Sequence, residues 1–138
     1  MSVFTWPIRV YWEDTDGGGI VYYANYLKFM ERARTEWLRM LGFSQAQLTL
    51  DPGLLFTVVE AQIKYLAPAR LDDLLHVSCE PQLEGRVSIA LRQRVCLHAP
   101  EGDLLAEGAI RAACVAADSL RPRRIPDMMR AAIVTSGG

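Results

Sequence analysis

The sequence has few cysteines and almost no net charge, and each shortage argues against a class of protein. Its three cysteines, Cys79, Cys96 and Cys114, are an odd number without C-x-x-C spacing, which argues against a disulfide scaffold and a zinc site. We interpret them as small buried hydrophobic residues of a protein in a reducing cytoplasm. The formal net charge of −1 gives no global attraction to nucleic acid or to a membrane surface. A partner is therefore expected to bind at a local site.

Long apolar runs and a leader-like N-terminus are also missing. No run approaches the roughly 18 residues of a transmembrane helix. Residues 1–7 lack the charged, apolar and small-residue regions of a signal peptide. We therefore expect a cytoplasmic chain without a transmembrane segment. The length of 138 residues suits a single domain, residues 1–138, with little room for a second cofactor-binding unit.

One helix of about four turns is predicted after the glycines at 17–19. Asn25 is a suitable N-cap, and Gly42 is a suitable residue just after the helix end. Apolar residues recur between them at helical spacing, and the face that we expect to enter the core consists of Tyr26, Met30, Ala33, Trp37 and Leu41. The opposite face, which we expect to be solvated, carries Lys28, Glu31, Arg32, Arg34, Glu36 and Arg39.

Strands account for most of the remaining sequence. Alternation from Ile8 to Glu13 predicts a first strand that enters the turn at Asp14, and Pro7 confines this strand to an edge or a bulge. Four later strands are predicted at residues 56–67, 74–82, 87–98 and 104–116, the last three as an antiparallel meander. Because the connections are too short for crossover helices, this order predicts an α+β fold in which the sheet covers the helix.

The segment from Tyr11 to Tyr26 is the most informative part of the chain. It places Asp14 and Asp16 at the end of a strand, then three glycines, then the helix start. Consecutive glycines permit a sharp turn and let the backbone approach a ligand closely. Unpaired N–H groups and the positive end of the dipole at a helix start favour developing negative charge. The segment indicates a reaction site for a group that becomes an oxyanion, while ordinary turn-forming aspartates remain the alternative.

Other known binding loops do not fit this segment. A calcium loop fails because Gly18 stands at the third ligand position and Asn25 stands where a bidentate Glu is needed. A P-loop fails because no Gly-Lys-Ser/Thr follows the glycines. Tyr22 occupies the last glycine position of the G-x-G-x-x-G pattern, which excludes a dinucleotide-binding turn.

We interpret two further groups of residues as structural rather than functional. Cys96 and His98 share a strand face but lie ~6.6 Å apart along it, too far for the hydrogen bond that activates a thiol. The basic run from Arg121 to Arg124 belongs to a tail that we expect to cross the surface into a short terminal helix. It has no aromatic stacking platform, so nucleic-acid binding is not expected.

Three segments together resemble a known family. Residues 11–26, residues 29–39 with E-R-A-R-T-E, and residues 65–73 are similar to the hotdog-fold acyl-CoA thioesterases of the 4-hydroxybenzoyl-CoA thioesterase superfamily. The nearest branch is that of the Tol-Pal system-associated acyl-CoA thioesterases. The resemblance implies a hotdog fold, in which an antiparallel sheet of about five strands wraps a long central helix. It also implies pairing into homodimers and commonly homotetramers.

The resemblance assigns roles to two residues of the turn. The family's catalytic carboxylate falls on Asp16, and the helix-start amide that polarises the thioester carbonyl falls on the backbone N–H of Tyr23. Many relatives of the nearest branch carry His at the second position, but a backbone amide acts with either side chain. We expect a neighbouring amide such as that of Gly19 to assist. No cofactor or metal is expected, because a thioester is already an activated acyl group.

The predicted activity is hydrolysis of an acyl-CoA thioester to a free acid and coenzyme A. Lys64, Arg70 and Arg86 are candidates for the coenzyme A phosphates because they stand near strand ends or turns, although a solvated role fits each equally well. The residues expected to bind the substrate are Gly19, Tyr22, Asn25, Tyr26, Lys64, Arg70 and Arg86.

Two other functions remain open at the level of sequence. The same Asp16 chemistry fits a thioesterase that acts on acyl carrier protein, and the fold also fits a non-catalytic acyl-CoA-binding or scaffold module of the cell envelope. A hotdog dehydratase is disfavoured because such chemistry usually enlists a pocket histidine. Neither His76 nor His98 lies near the turn in sequence.

Overall fold

The computed structural model describes residues 3–137 and has an α+β architecture, as predicted. Its strands and helices are β1 (Phe4–Arg9), α1 (Asn25–Met40), α2 (Gln45–Leu50), β2 (Leu54–Tyr65), β3 (Leu74–Glu84), β4 (Ser88–Leu97), β5 (Leu104–Ala116) and α3 (Asp127–Gly137). A single 3-10 turn, Trp12–Asp14, lies between β1 and α1.

The five strands form one antiparallel sheet in the order β1-β3-β4-β5-β2. The predicted meander of β3, β4 and β5 is confirmed. Pro7 lies opposite His76 in β1, which is an edge strand as predicted, because proline has no N–H to give to a second neighbour. Strand β2 forms the other edge and pairs only with β5 within the described residues.

Helix α1 packs its apolar face on one side of this sheet. Four of the five residues assigned to this face are buried, among them Trp37 at 2% exposure, and Leu41 packs against them. Met30 lies directly over Gly108 of β5, where a Cβ atom would come within 2.7 Å of the Met30 sulfur. The missing side chain at Gly108 therefore lets the helix approach the sheet closely.

The end of α1 confirms the role predicted for Gly42. Its φ is +97°, its N–H donates to Arg39, and the next N–H, that of Phe43, donates to Leu38. These two bonds satisfy carbonyls of the last helical turn. The chain then enters α2, where the Ser44 side chain accepts a hydrogen bond from the Gln47 N–H. Helix α2 was not predicted, because its six residues include a single buried one and give no helical period.

The first strand is shorter than predicted. It was expected to continue into the turn at Asp14, but it ends at Arg9. The N–H of Val10 donates to Asp73, and the N–H of Tyr11 donates to the Asp14 carboxylate, so the chain leaves the ladder with β3. The alternation beyond Arg9 thus reflects a 3-10 turn with a buried Asp14 rather than a strand.

The prediction for the C-terminal tail was also wrong in part. The predicted terminal helix exists, but the tail does not simply cross the surface. Ile125, Met129 and Ile133 are 0–2% exposed and belong to the core, with α3 packed against β3. Met129 and Ile133 are four residues apart and share one face of α3, and Ile125 lies just before this helix. The burial of these residues was not predicted, because basic residues precede them in the sequence.

Candidate active site

A buried carboxylate anchors the loop that precedes α1. Asp14 is 5% exposed, and its two oxygens accept hydrogen bonds at 2.8 Å from the Tyr11 N–H and from the side-chain amide of Asn25. The prediction that Asn25 is the N-cap was wrong, because Ala24 holds that position and Asn25 begins the helix. Asn25 instead ties the helix start to the 3-10 turn. A carboxylate with such partners is a fixed structural element.

Asp16 differs from Asp14 because its carboxylate faces solvent. One oxygen accepts a hydrogen bond of 2.8 Å from the Gly18 N–H. The loop is closed by two backbone bonds, from Asp16 N–H to Ile20 at 2.9 Å and from Gly19 N–H to Asp16 at 3.1 Å. Gly19 has a φ of +78°, a conformation that glycine adopts at low cost. The loop therefore holds the Asp16 carboxylate at an exposed tip and leaves the Gly19 N–H engaged.

The helix start supplies a free donor. The Tyr22 N–H donates to the Asp14 carbonyl at 3.1 Å, and the Asn25 N–H donates to Tyr22 at 2.8 Å. Between these engaged groups, the Tyr23 N–H donates to no backbone carbonyl within residues 3–137. Helix starts carry partial positive charge from such unpaired groups. The Tyr23 amide is thus available to an oxygen that gains negative charge.

Tyrosines surround this donor, and Tyr65 is one that the sequence did not single out. Its hydroxyl donates to the Tyr23 carbonyl at 3.1 Å, and its ring packs edge-on against Tyr23 and Tyr26. The Tyr26 hydroxyl accepts a hydrogen bond from the Ala69 N–H at 3.1 Å. Burial raises the pKa of both Tyr26 and Tyr65, which keeps the hydroxyls protonated. Only the folded chain brings Tyr65 to the helix start, so spacing alone gave no signal.

Two of the residues expected to bind the substrate, Tyr22 and Tyr26, pack against neighbouring tyrosines. Tyr22 is 50% exposed and packs against the Tyr23 ring at 5.0 Å between centroids. Tyr26 is 3% exposed and lies inside the tyrosine cluster. Contact of these side chains with a substrate stays a prediction.

The three candidate cations lie in three separate places. Arg70 pairs with Ile20 in an isolated bridge beside the glycine loop, and Lys64 precedes Tyr65 near the end of β2. Arg86 follows β3, whose 11 residues separate it by ~35 Å from the loop at the start of that strand. One copy of the chain therefore brings Arg70 to the region of Asp16, whereas Lys64 lies beside Glu107 on the sheet face opposite to Tyr65 and α1, and Arg86 lies at the far end of the sheet.

Comparison with known proteins identifies the family. Residues 18–101, more than half of the chain, match the model of the "4HBT: Thioesterase superfamily". The chain belongs to the thioesterase superfamily. The matched range contains Tyr23, and it begins two residues after Asp16. The predicted class of enzyme, a thioester hydrolase, is thereby confirmed.

The sequence of this thioesterase is similar to those of named relatives over nearly its whole length. It is 42% identical over 125 residues to "Acyl-CoA thioester hydrolase YbgC" of Escherichia coli O6:H1, which covers 91% of each chain. It is 41% identical over 129 residues to "Acyl-CoA thioesterase YbgC" of Haemophilus influenzae, which covers 94% of this chain and 93% of the relative. These names are consistent with the predicted branch, and a link to the Tol-Pal system stays a prediction.

Solved structures support the same fold. A crystal structure of a 1,4-dihydroxy-2-naphthoyl-CoA thioesterase from Synechocystis superposes with a TM-score of 0.88 at 26% identity, covering 96% of both chains. The predicted hotdog fold of this thioesterase is therefore confirmed.

Metal and membrane features add little to the site. In the described part of this thioesterase, no group of three or more His, Cys, Asp and Glu side chains is arranged to hold a metal ion. None of the helices between residues 3 and 137 is both long enough and apolar enough to cross a bilayer. A reaction without a cofactor and a cytoplasmic location both stay predictions.

Proposed function

We propose that this thioesterase hydrolyses acyl-CoA thioesters to a carboxylic acid and free coenzyme A, with Asp16 and the Tyr23 N–H as its catalytic groups. The observation that carries the proposal is the closed loop, which presents the exposed Asp16 carboxylate beside a helix start with a free Tyr23 donor. The relatives named acyl-CoA thioester hydrolase support the substrate class.

The Tyr23 N–H is assigned to the thioester carbonyl oxygen. When the carbonyl carbon is attacked, its oxygen becomes an anion, and an oriented N–H at a helix start stabilises that charge without reorganising. One such donor typically lowers the barrier by ~3 kcal/mol. The Gly19 N–H already donates to Asp16, so a second donor from Gly19 requires that this bond open first.

Asp16 acts by one of two routes. In the first, a carboxylate oxygen attacks the carbonyl carbon, the C–S bond breaks, coenzyme A leaves as the thiolate, and water then hydrolyses the mixed anhydride. In the second, Asp16 takes a proton from a water molecule while that water attacks, and the thiolate leaves from the tetrahedral intermediate. Both routes end in the free acid and coenzyme A, and neither consumes a cofactor.

Arg70 is proposed to bind the coenzyme A phosphates. Arg70 is exposed, and its backbone is fixed to the glycine loop through Ile20, while Lys64 lies exposed near the end of β2. Arginine and lysine are the side chains that form charge-assisted hydrogen bonds with phosphate oxygens. Arg70 therefore lies on the side of the molecule where the thioester would sit against Tyr23, whereas Lys64 projects from the opposite face of the sheet beside Glu107.

The free edge of β2 is proposed as the surface that pairs two copies of the chain. This edge is 12 residues long, and it exposes Val58 and Val59 at 47% and 57%. A long apolar edge strand is a ready template for another strand. A twofold antiparallel pairing turns the partner sheet end for end, so Arg86 of the partner subunit would lie at the same end of the paired sheets as Asp16. The dimer would thus supply a second cation beside Arg70.

Release of free thiol tests the substrate class. The wild-type protein is offered short, medium, long and aromatic acyl-CoAs, and the same acyl groups on acyl carrier protein. The proposal expects turnover of at least one acyl-CoA with a higher kcat/KM than its carrier-protein counterpart. Preference for the carrier protein would change the substrate assignment, and no turnover of any thioester would favour the non-catalytic binding module.

A further inference from the structure

An exposed aromatic residue lies beside the glycine loop and has no role in the chemistry assigned to Asp16 and Tyr23. Trp12 is 80% exposed, far more than the other two tryptophans of the chain. It lines a shallow depression of the surface together with Tyr11 and Leu71, and we call this the Trp12 depression. Exposed apolar side chains that are grouped, rather than scattered, mark places where proteins bind ligands or partners.

The backbone of Trp12 is fixed although its ring is exposed. Its carbonyl accepts hydrogen bonds from the Thr15 hydroxyl at 2.8 Å and from the Thr15 N–H at 3.2 Å. The Asp14 N–H donates to the Tyr11 carbonyl at 3.0 Å, and the buried Asp14 carboxylate accepts from the Tyr11 N–H. An aromatic side chain on a fixed backbone loses little conformational freedom when a ligand stacks on it. The turn therefore presents the indole as a preorganised stacking surface.

A cation shares one face of the surface with the Asp16 carboxylate. The Asp16 N–H donates to the Ile20 carbonyl, and Ile20 in turn pairs with Arg70. Paired residues of neighbouring extended segments project to the same face. The adjoining pair, Val21 and Ala69, is buried, so the row from Asp16 to Arg70 faces outward. Both charged residues of this row are exposed.

The Trp12 depression begins where this row ends. Leu71 directly follows Arg70, and its N–H donates to the Gly19 carbonyl at 3.3 Å. The order along the surface is therefore a carboxylate at Asp16, a cation at Arg70 and an aromatic surface at Trp12. An acyl-CoA has a thioester at one end, phosphates in the middle and an adenine ring at the other end. The two orders match.

The span from the helix start to Trp12 suits a single coenzyme A. The Tyr22 N–H donates to the Asp14 carbonyl at 3.1 Å, and Tyr23 is the next residue. Trp12 is two residues before Asp14, so the backbones of Trp12 and Tyr23 lie no more than ~18 Å apart. The chain of coenzyme A from thioester to adenosine is longer than this when extended. The ligand therefore reaches the depression in a bent conformation.

The charge of the depression favours a neutral ring over a phosphate. Asp72 also lines it and is exposed, so its carboxylate repels an anion. Adenine is uncharged and stacks on aromatic side chains, and its amino group offers N–H donors to an oxygen such as that of Asp72. The phosphates are left to Arg70, outside the depression.

The proposed pairing of two copies leaves this depression open. Strands β1 and β2 form opposite edges of the sheet, and Trp12 follows the end of β1 by three residues. A partner subunit that pairs with β2 therefore lies at the other edge. The Trp12 depression stays accessible to the substrate.

We propose that Trp12 is the stacking surface for the adenine ring of coenzyme A, with the phosphates held at Arg70 between the ring and the thioester. The inference rests on the proposed acyl-CoA hydrolysis, and it names the residue that binds the nucleotide end of the substrate. Trp12 contributes to binding alone, because it lies away from the reacting carbonyl.

Steady-state kinetics on two thioesters of the same acyl group test the assignment. The acyl-CoA that wild type prefers is compared with the S-acyl-pantetheine ester, which lacks the adenosine and the phosphates. The ratio of the two kcat/KM values is measured for wild type, Trp12→Ala, Trp12→Phe and Trp6→Ala. Trp6 is the matched control, because it is a tryptophan of β1 that is 38% exposed and stacks on the Phe4 ring.

We expect Trp12→Ala to lower this ratio about tenfold or more. The loss should appear as a higher KM for acyl-CoA with kcat close to that of wild type, because adenine is bound equally in the ground and transition states. Trp12→Phe keeps an aromatic face and should restore most of the ratio. Trp6→Ala should leave the ratio unchanged.

Four outcomes overturn the inference and leave the proposed function standing. They are an unchanged ratio in Trp12→Ala, a loss in kcat instead of a rise in KM, an equal loss in Trp6→Ala, and sedimentation of Trp12→Ala as a smaller assembly than wild type. The last outcome would assign this surface to contact between copies. Absence of turnover of both esters by wild type would instead count against the proposed function.

Tryptophan fluorescence of the intact protein gives a readout without activity. Adenosine 3′,5′-bisphosphate is titrated into wild type and Trp12→Phe, with inorganic pyrophosphate as the probe that lacks a base. A purine stacked on an indole quenches its emission. We expect a saturable decrease with the nucleotide in wild type, no such decrease in Trp12→Phe, and none with pyrophosphate. No decrease in wild type, or the same decrease in both proteins, would contradict stacking on Trp12.

Discussion

Two aspartates that look alike in the sequence have different environments in the fold. Asp14 is buried and accepts hydrogen bonds from Tyr11 and Asn25, while Asp16 is exposed at the tip of the glycine loop. Motif spacing predicted a carboxylate beside a helix start, and resemblance to a family pointed to the second aspartate. The anchoring role of Asp14 depends on a hydrogen bond across 11 residues, which no local pattern encodes.

The Tyr23 donor can be removed only through the backbone. Tyr23→Pro eliminates the N–H, and proline is tolerated near a helix N-terminus. We expect kcat to fall about 10²- to 10³-fold, the usual effect of losing one oxyanion donor. Tyr23→Phe keeps the N–H and is expected to lose far less. Thiol release is measured for both variants after circular dichroism confirms their folding, and equal losses would contradict the backbone assignment.

Burial of Cys79 predicts a loss of stability at alkaline pH. Burial raises the pKa of this thiol from 9.0 to about 12. Between those values the unfolded chain releases a proton that the folded chain keeps, so stability is complete below pH 9 and falls as pH rises. The free energy of unfolding should decline by up to about 1.4 kcal/mol per pH unit from this group. Urea titrations at increasing pH should show a shallower decline in Cys79→Ala, and identical pH slopes would be evidence against the assignment.

At the scale of elements, the predictions succeeded where a repeating apolar pattern extended over several turns or pairs. Helix α1 and the meander of β3 to β5 were recognised from such patterns. The short helix α2 was missed because it has a single buried residue and gives no repeating apolar pattern, whereas α3 was predicted and only its burial in the core was missed. Arg34 shows the same limit, since its position on a polar helix face did not reveal the bond to buried Gln93.

Substitution of Trp37 tests whether the predicted apolar face of α1 forms part of the core. The side chain is 2% exposed, so Trp37→Ala should lower the free energy of unfolding by about 3 to 5 kcal/mol through lost burial and the cavity left behind. Trp12→Ala is the matched control, because Trp12 is 80% exposed and its loss should cost under about 0.5 kcal/mol. Denaturant unfolding gives both values, and a loss below about 1 kcal/mol at Trp37 would contradict the assigned core.

At the scale of the whole molecule, the sheet leaves one long edge open. The inner strands are paired on both sides, whereas β2 has a partner only in β5 among the described residues. The sequence could indicate a paired fold only through resemblance, because edge position depends on the sheet order. In the structure, the exposed valines lie in the middle of this open edge, between Leu54 and Tyr65.

Disruption of this edge should separate two copies and impair catalysis. Val59→Lys places a charge on the apolar edge, which opposes strand pairing. We expect wild type to sediment as a dimer or larger, and the variant to sediment as a monomer with reduced thiol release. Val134→Lys is the control, because Val134 is 63% exposed on α3 and should keep the oligomer. A fully active wild-type monomer would contradict a role for the partner subunit.

The most direct measurement of the central claim is the rate of thiol release by Asp16→Asn on the acyl-CoA that wild type prefers. Asparagine preserves the shape of the side chain and can still accept the bond from Gly18, but it can neither attack the carbonyl as a carboxylate nor take a proton from water. Glu13→Gln provides the control, since Glu13 is an exposed carboxylate of the same turn. We predict that kcat collapses in folded Asp16→Asn and persists in Glu13→Gln. Equal turnover by wild type and Asp16→Asn would show that another group performs the chemistry.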